Sequence, residues 1–199
     1  MSELFSIQLQ NRQQQGRDGV WLDLPTTTEQ VQAALRQIGI SSDNPQGLFI
    51  FGYFAEEKKR FAIPYNMVLA SNVDELNFLA SRLETLSTGE RAELNAALQA
   101  PQSELFSIGR ITDFPENVDY YVHLPDVHGP AQLGDYYLNR SGMVDMPEEW
   151  KGGIDTAQFG RYVAQQEQGV FTEYGYIVKS GDVWQKVHEG PPVAEDYRV

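Results

Sequence analysis

The stretch GVWLDLPTTTEQVQAALRQIG, residues 19–39, predicts a strand followed directly by a helix. Residues 20–24 are rich in the branched and aromatic side chains that strands favour. Thr26, with Glu29 three residues later, predicts a capping box at the start of the helix, and Gly39 stands where a left-handed C-cap is expected. Four apolar residues between these ends recur at helical spacing and predict the buried face: Val31, Ala34, Leu35 and Ile38.

Further strands are predicted on both sides of this stretch. Apolar residues alternate with polar ones over 5–10, as in a half-buried strand, and the run LFIFGYF at 48–54 is apolar and aromatic throughout. FAIPY at 61–65 predicts another short strand after the polar cluster EEKKR. We therefore expect residues 1–67 to form an N-terminal unit, an antiparallel sheet with one helix.

Residues 68–102 predict a middle helical unit. Asn72 with Glu75, and Ser87 with Glu90, are typical of helix N-termini. Apolar residues follow each cap at helical spacing: Leu76, Leu79, Ala80, Leu83 and Leu86 after the first, and Leu94, Ala97 and Leu98 after the second. Helices this short are marginal alone, so we expect them to pack on neighbouring elements.

Residues 103–199 predict a C-terminal unit that mixes both element types. A strand is predicted over 119–124, and Asp155 predicts the N-cap of a later helix. The inward face of that helix is predicted from three residues: Phe159, Tyr162 and Val163. Segments 171–179 and 182–187, separated by a Ser-Gly pair, predict a β-hairpin. The fold class is therefore α+β, in three small units.

The charge of the chain restricts its partners. There are 15 basic and 28 acidic residues, a formal net charge of −13. Direct binding to DNA or RNA is disfavoured, because neutralising phosphates requires clustered Lys and Arg. Residues 1–100 carry 12 acidic and 8 basic side chains, against 16 and 7 over residues 101–199. An acidic balance is often a matter of solubility, but it is also what a protein that binds a basic partner requires.

The carboxylates of the second half are dispersed rather than joined in a block, which indicates that they lie on folded elements and not on a disordered acidic tail. They are the candidate partner-binding residues: Asp113, Glu116, Asp119, Asp126, Asp135, Asp145, Glu148, Glu149 and Asp155.

No pattern in the sequence predicts catalysis, a cofactor or a metal. The nucleophile elbow, the phosphate loop, the dinucleotide glycine fingerprint and the zinc-protease motif are all absent. His123 and His128 flank Asp126, but this spacing matches no standard ligand pattern. The chain has no cysteine, no signal-peptide pattern and no apolar run of membrane-spanning length, so we expect a non-enzymatic cytoplasmic protein.

Three blocks of the chain resemble the ArdA-type antirestriction proteins. They are residues 19–39, residues 73–98, and the most specific one, 132–177. The last has a Leu-Gly-x-Tyr-Tyr helix, a Pro-Glu-Glu turn, an Ile-Asp-x-x-x-Phe-Gly-Arg helix and a closing Gly-x-Phe-Thr-x-x-Gly-Tyr. The order and spacing of the blocks agree with the family, so the resemblance covers most of the chain.

The resemblance implies an elongated, three-part α+β protein that dimerises and imitates the shape and charge of DNA. Such proteins occupy the DNA-binding groove of type I restriction–modification enzymes, so that an incoming plasmid or transposon escapes cleavage. Here it implies that the nine candidate carboxylates act collectively and that a homodimer forms through residues 103–199. The alternative from composition alone is an acidic protein-interaction module that binds another basic, nucleic-acid-handling partner.

Overall fold

The computed structural model describes residues 4–14, 18–41, 45–56, 61–101 and 103–187. It confirms an α+β fold, with two three-stranded antiparallel sheets. The chain separates into two compact units. The N-terminal unit comprises residues 1–87, 104–116 and 185–199, and the C-terminal unit comprises residues 88–103 and 117–184. The basic cluster Lys58, Lys59 and Arg60 lies outside the described residues.

The sheet of the N-terminal unit has the order β2-β1-β3. Its strands are β1 (Phe5–Asn11), β2 (Val20–Leu24) and β3 (Leu48–Phe54), where the sequence predicts them. The alternation along β1 buries Phe5, Ile7 and Leu9 on the inner face. The pairing of β1 with β3 shifts between Gln8 and Leu9, which places a bulge in the ladder.

Eight α-helices lie in the described parts of the chain. In order they are α1 (Thr28–Gln37), α2 (Tyr65–Leu69), α3 (Val73–Glu84), α4 (Thr88–Gln99), α5 (Ile108–Thr112), α6 (Pro130–Asp135), α7 (Glu148–Lys151) and α8 (Thr156–Glu167). The predicted cap of α3 is confirmed, because the Asn72 side chain accepts from the Glu75 amide. The middle segment of the sequence is divided between the units, with α3 in the first and α4 in the second.

Two local predictions in the N-terminal unit are wrong. The capping box of α1 consists of Thr27 and Gln30, one residue later than predicted, because the Thr26 backbone instead bonds to the buried side chain of Asn77. FAIPY forms no strand: Phe61 and Ile63 are buried in irregular chain, and α2 begins at Tyr65. Burial of apolar residues explains this segment without any strand pairing.

The sheet of the C-terminal unit has the order β4-β6-β5. Its strands are β4 (Tyr121–Leu124), β5 (Val170–Thr172) and β6 (Gly175–Lys179). The predicted hairpin is wrong in position, because its turn falls at Glu173 and Tyr174 and both strands lie within 170–179. Residues 182–187 form no regular structure, and β4 takes the place beside β6 that they were predicted to fill.

Helices α6 and α8 cross at two glycines in the C-terminal unit. A Cβ atom built on Gly160 would lie 1.8 Å from the Pro130 carbonyl oxygen, and one on Gly134 would lie 1.9 Å from the Thr156 carbonyl oxygen. The backbones therefore approach closer than any side chain allows. The buried face of α8 is formed by Gly160 and Ala164, whereas Tyr162, predicted to face inward, is 60% exposed.

One carboxylate ties three elements of this unit together. Glu167, the last residue of α8, accepts from the Tyr137 hydroxyl at 2.8 Å and from the Tyr176 hydroxyl at 2.5 Å. Tyr137 belongs to a π-helical segment that continues α6, and Tyr176 lies on β6. Burial, and then donation to this carboxylate, raises the pKa of both tyrosines above the usual range.

Candidate partner-binding surface

The two units divide the nine predicted carboxylates. Asp113 and Glu116 belong to the N-terminal unit, and the other seven belong to the C-terminal unit. The prediction that Asp113 belongs to an exposed acidic surface is wrong. Asp113 lies at the end of α5 and is buried, with an exposed fraction of 2%. Glu116 forms an ion pair with Arg82, which neutralises part of its charge locally.

The seven carboxylates of the C-terminal unit lie at its surface. Asp135 is half-buried, and the other six are exposed: Asp119, Asp126, Asp145, Glu148, Glu149 and Asp155. Local structure determines where each one is held. Glu148 and Glu149 form the first turn of α7 after Pro147, a place where the helix dipole stabilises negative charge. Asp155 is the predicted N-cap of α8, and its Oδ1 accepts from the Gln158 amide at 2.9 Å.

Few cations compensate this charge. Asp135 pairs with Arg140 at 3.3 Å, and Glu148 pairs with Lys151 at 2.9 Å. Within the described part of the chain, salt bridges are absent at the following exposed carboxylates: Asp126, Asp145 and Glu149. The sequence of the C-terminal unit holds 12 acidic and 5 basic side chains, a formal charge of −7. Such an arrangement can attract a cationic surface.

A family model for the antirestriction protein ArdA matches residues 15–178. The chain belongs to the ArdA family. The match covers most of the sequence and includes all nine predicted carboxylates. A search of curated proteins finds no match. Membership of the ArdA family implies an antirestriction function.

In this ArdA-family chain His123 and His128 both contact protein groups, and the backbone amide of His128 donates to the Gln132 side chain. His123 donates from Nε2 to the Tyr174 carbonyl oxygen, 2.8 Å away, within the C-terminal unit. Across the described ranges, no three His, Asp or Glu side chains are grouped closely enough to hold a metal ion. Over the same ranges, no helix has both the length and the apolarity needed to cross a membrane.

One ionisable group of the C-terminal unit, Glu93, was not predicted from the sequence to be perturbed. Glu93 on α4 is partly buried, and its Oε1 atom is buried with no hydrogen-bond partner. Burial, and then the nearby charges of Glu90 and Asp119, raises the pKa of Glu93 to about 8. Only the contribution of Glu90 could be inferred from the sequence, because Glu90 and Glu93 are three residues apart and so adjacent on one helix face.

We expect Glu93→Gln to stabilise the protein increasingly as the pH rises. The folded-state pKa lies above the unfolded value, so the native state is penalised once the carboxyl ionises. The contribution of Glu93 is most favourable below about pH 4.5 and is lost as the pH rises towards 8. Because water partly screens the group, the gain near pH 8 should be about 1–2 kcal/mol and close to zero at pH 4.5.

Urea denaturation at several pH values measures this difference. The matched control is Asp126→Asn, which removes an exposed carboxylate of the same unit and should give a difference that is small at every pH. A pH-independent effect of Glu93→Gln would show that its carboxyl does not retain a proton in the native state.

Proposed function

We propose that this protein is a non-enzymatic antirestriction inhibitor that acts as an acidic DNA mimic. It occupies the DNA-binding groove of a type I restriction–modification enzyme and so blocks restriction of incoming DNA. The observation that carries the proposal is the set of exposed and sparsely compensated carboxylates on the C-terminal unit, on a chain that belongs to the ArdA family.

The physical basis is the charge density of DNA. A duplex presents one negative charge about every 1.7 Å of its axis, and a groove built to bind it carries clustered Lys and Arg. A folded protein can compete for such a groove only by spreading carboxylates over its surface, since a compact acidic block would match a few phosphates and no more. The resulting complementarity is electrostatic, so affinity should fall steeply as salt is added.

A homodimer through residues 103–199 is part of the proposal. Two such copies would double the number of carboxylates presented to one groove. Large apolar side chains in this region support an interface here, and three of them are strongly exposed: Met143 at 77%, Trp150 at 67% and Tyr162 at 60%. Aromatic and Met residues of this kind are enriched in protein interfaces.

Neutralising three unpaired carboxylates together should weaken inhibition far more than neutralising any one of them. The triple variant is Asp126→Asn, Asp145→Asn and Glu149→Gln. Each exposed charge contributes on the order of 0.3–1 kcal/mol, so we expect about a 2- to 5-fold loss of affinity for a single change and roughly 10- to 100-fold for the triple. The measurement is displacement of DNA from a type I restriction–modification enzyme at low and high salt.

The control is a triple variant of equal charge change in the N-terminal unit. Asp18→Asn, Glu29→Gln and Glu56→Gln remove three exposed carboxylates there and should leave affinity within about 3-fold of the parent chain. Failure of the parent chain to displace DNA at low salt would exclude the mimic mechanism. Equal losses in the two triple variants would exclude the C-terminal unit as the principal contact.

A further inference from the structure

A cavity of about 200 Å³ lies against one face of the β4-β6-β5 sheet, at the end of α4, within the C-terminal unit. Tyr176 and Val178 of β6 pack into the core with α6 and α8. Because successive side chains of a strand alternate between its two faces, the cavity lies on the opposite face, which bears Ile177 and Lys179. We call this space the α4 cavity and define it by six of its lining residues: Ala100, Ser103, Tyr121, Val170, Ile177 and Lys179.

The strand register gives the α4 cavity a polar end. Tyr121 on β4 lies opposite Lys179 on β6, so the two side chains are neighbours on the same face. The Tyr121 hydroxyl lies 3.4 Å from Oγ of Ser103. Each hydroxyl has one donor and two acceptor lone pairs, so this contact uses only part of its bonding capacity. The polar end therefore combines an ammonium group with two hydroxyl groups.

The other end of the α4 cavity is apolar. Val170 on β5 lies opposite Ile177 on β6, and Ile177 is two residues, about 7 Å, from Lys179 along the strand. Ala100 and Pro101, which directly follow α4, complete the apolar wall. Ile177 is buried, whereas Pro101 and Lys179 are exposed, so the cavity has a closed floor and an open rim.

The charge of the lining selects the sign of a ligand. Among the described residues that line the α4 cavity, Lys179 is the only charged one. The sequence of the same unit holds 12 acidic and 5 basic side chains, so a lining with one cation and no carboxylate departs from its surroundings. Such a lining favours an anionic ligand over a cationic one.

The volume of the α4 cavity limits the size of a ligand. An apolar protein cavity of roughly 150 Å³ is large enough to bind benzene. Pockets for drug-sized ligands are larger, roughly 300–1,000 Å³. At about 200 Å³ the α4 cavity therefore has room for one six-membered ring with a small polar substituent.

We propose that the α4 cavity binds a small monocarboxylic acid with a compact apolar body the size of one ring. The carboxylate accepts from the Lys179 ammonium and from the Tyr121 hydroxyl, and the charge of both ion partners strengthens the first of these bonds. The apolar body lies between Val170 and Ile177, at the closed end. This binding site goes beyond the proposed function, and DNA mimicry does not depend on it.

Titration of the full chain with benzoate, followed by amide chemical shifts in two-dimensional NMR, tests the proposal. We expect saturable binding with a Kd of about 0.1–1 mM, and the largest shifts at Ser103, Tyr121, Val170 and Ile177. Benzamide has the same shape without the charge and should bind at least about 5-fold more weakly. Benzylamine, which carries the opposite charge, should bind more weakly still.

Filling the apolar end should remove the site. Val170→Phe places a ring where the ligand ring would lie and should weaken benzoate binding at least about 10-fold. Val183→Phe is the matched control, because Val183 is 86% exposed in the same unit and lies outside the lining, and it should bind like the parent chain. Ala100→Leu fills the cavity from the opposite wall and gives a second, independent test. Circular dichroism verifies that each variant is folded.

Removing the ammonium group tests the choice of a carboxylate. Lys179→Gln should weaken benzoate binding about 10-fold and benzamide binding less than about 2-fold. Arg161→Gln removes an exposed cation of α8 in the same unit and should leave both affinities unchanged. The proposal is overturned if benzoate binding does not saturate below about 10 mM, if both filled variants bind like the parent, or if Lys179→Gln and Arg161→Gln have equal effects.

Discussion

Gly160→Ala is expected to destabilise the C-terminal unit by about 3 kcal/mol or more. The added methyl group would lie 1.8 Å from the Pro130 carbonyl oxygen and 2.8 Å from the Gly134 amide nitrogen. Both contacts are with backbone, which has no rotamer that would relieve them. Helices α6 and α8 would have to separate, which would open the core formed by Val127, Leu133, Ala164 and Tyr176.

Thermal and urea denaturation of the purified chain measure this loss. Gly152→Ala is the matched control, because Gly152 lies in the same unit, has an ordinary helical φ of −63° and has no atom within 4 Å of the added carbon. That variant should be as stable as the parent, or slightly more so. Substitutions at the surface usually change the free energy of unfolding by less than about 0.5 kcal/mol. A change that small for Gly160→Ala would show that the two helices cross less closely than described.

Asn77→Ala should cost about 3 kcal/mol in the N-terminal unit. The Asn77 side chain is 2% exposed, and its Oδ1 accepts from the Thr26 amide at 2.7 Å while its Nδ2 donates to the Thr26 carbonyl oxygen at 3.0 Å. Removal of the amide leaves both backbone groups of Thr26 buried without a partner. Each such group costs on the order of 1–3 kcal/mol.

Asn66→Ala is the matched control, because it removes an asparagine that makes no comparable buried hydrogen bonds within the described residues. Asn66 is an exposed residue of α2 in the same unit, and its replacement should change stability by less than about 0.5 kcal/mol. Urea midpoints at constant m-value give the comparison. Equal midpoints for the two variants would contradict a structural role for the bonds between Asn77 and Thr26.

Hydrophobic periodicity and capping residues were sufficient to predict the elements in which apolar residues recur at a clear spacing. The alternation of Phe5, Ile7 and Leu9 defined β1, and the left-handed φ of Gly39, +70°, ends α1 as predicted. Errors arose where a distant partner decided the outcome. Thr26 has every property of an N-cap, but Asn77 binds its backbone from 51 residues away and the cap falls on Thr27. No window of sequence contains that information.

The same distinction applies to the candidate surface. Dispersed carboxylates such as Asp126 and Asp145 are exposed, as the sequence predicts. Asp113 differs because it ends α5, which packs against α3, and because the next residue, Phe114, is fully buried. The raised pKa of Glu93 likewise depends on burial and on Asp119, neither of which the sequence reveals.

The bonds from Tyr137 and Tyr176 to Glu167 have a dynamic consequence. The π-helical segment, the end of α8 and strand β6 all depend on one carboxylate, so none of them can fray without breaking a bond of another. Amide protons in these three elements should therefore exchange with solvent through shared opening events rather than segment by segment. The exposed α7, which has no buried residue, should exchange independently and much sooner.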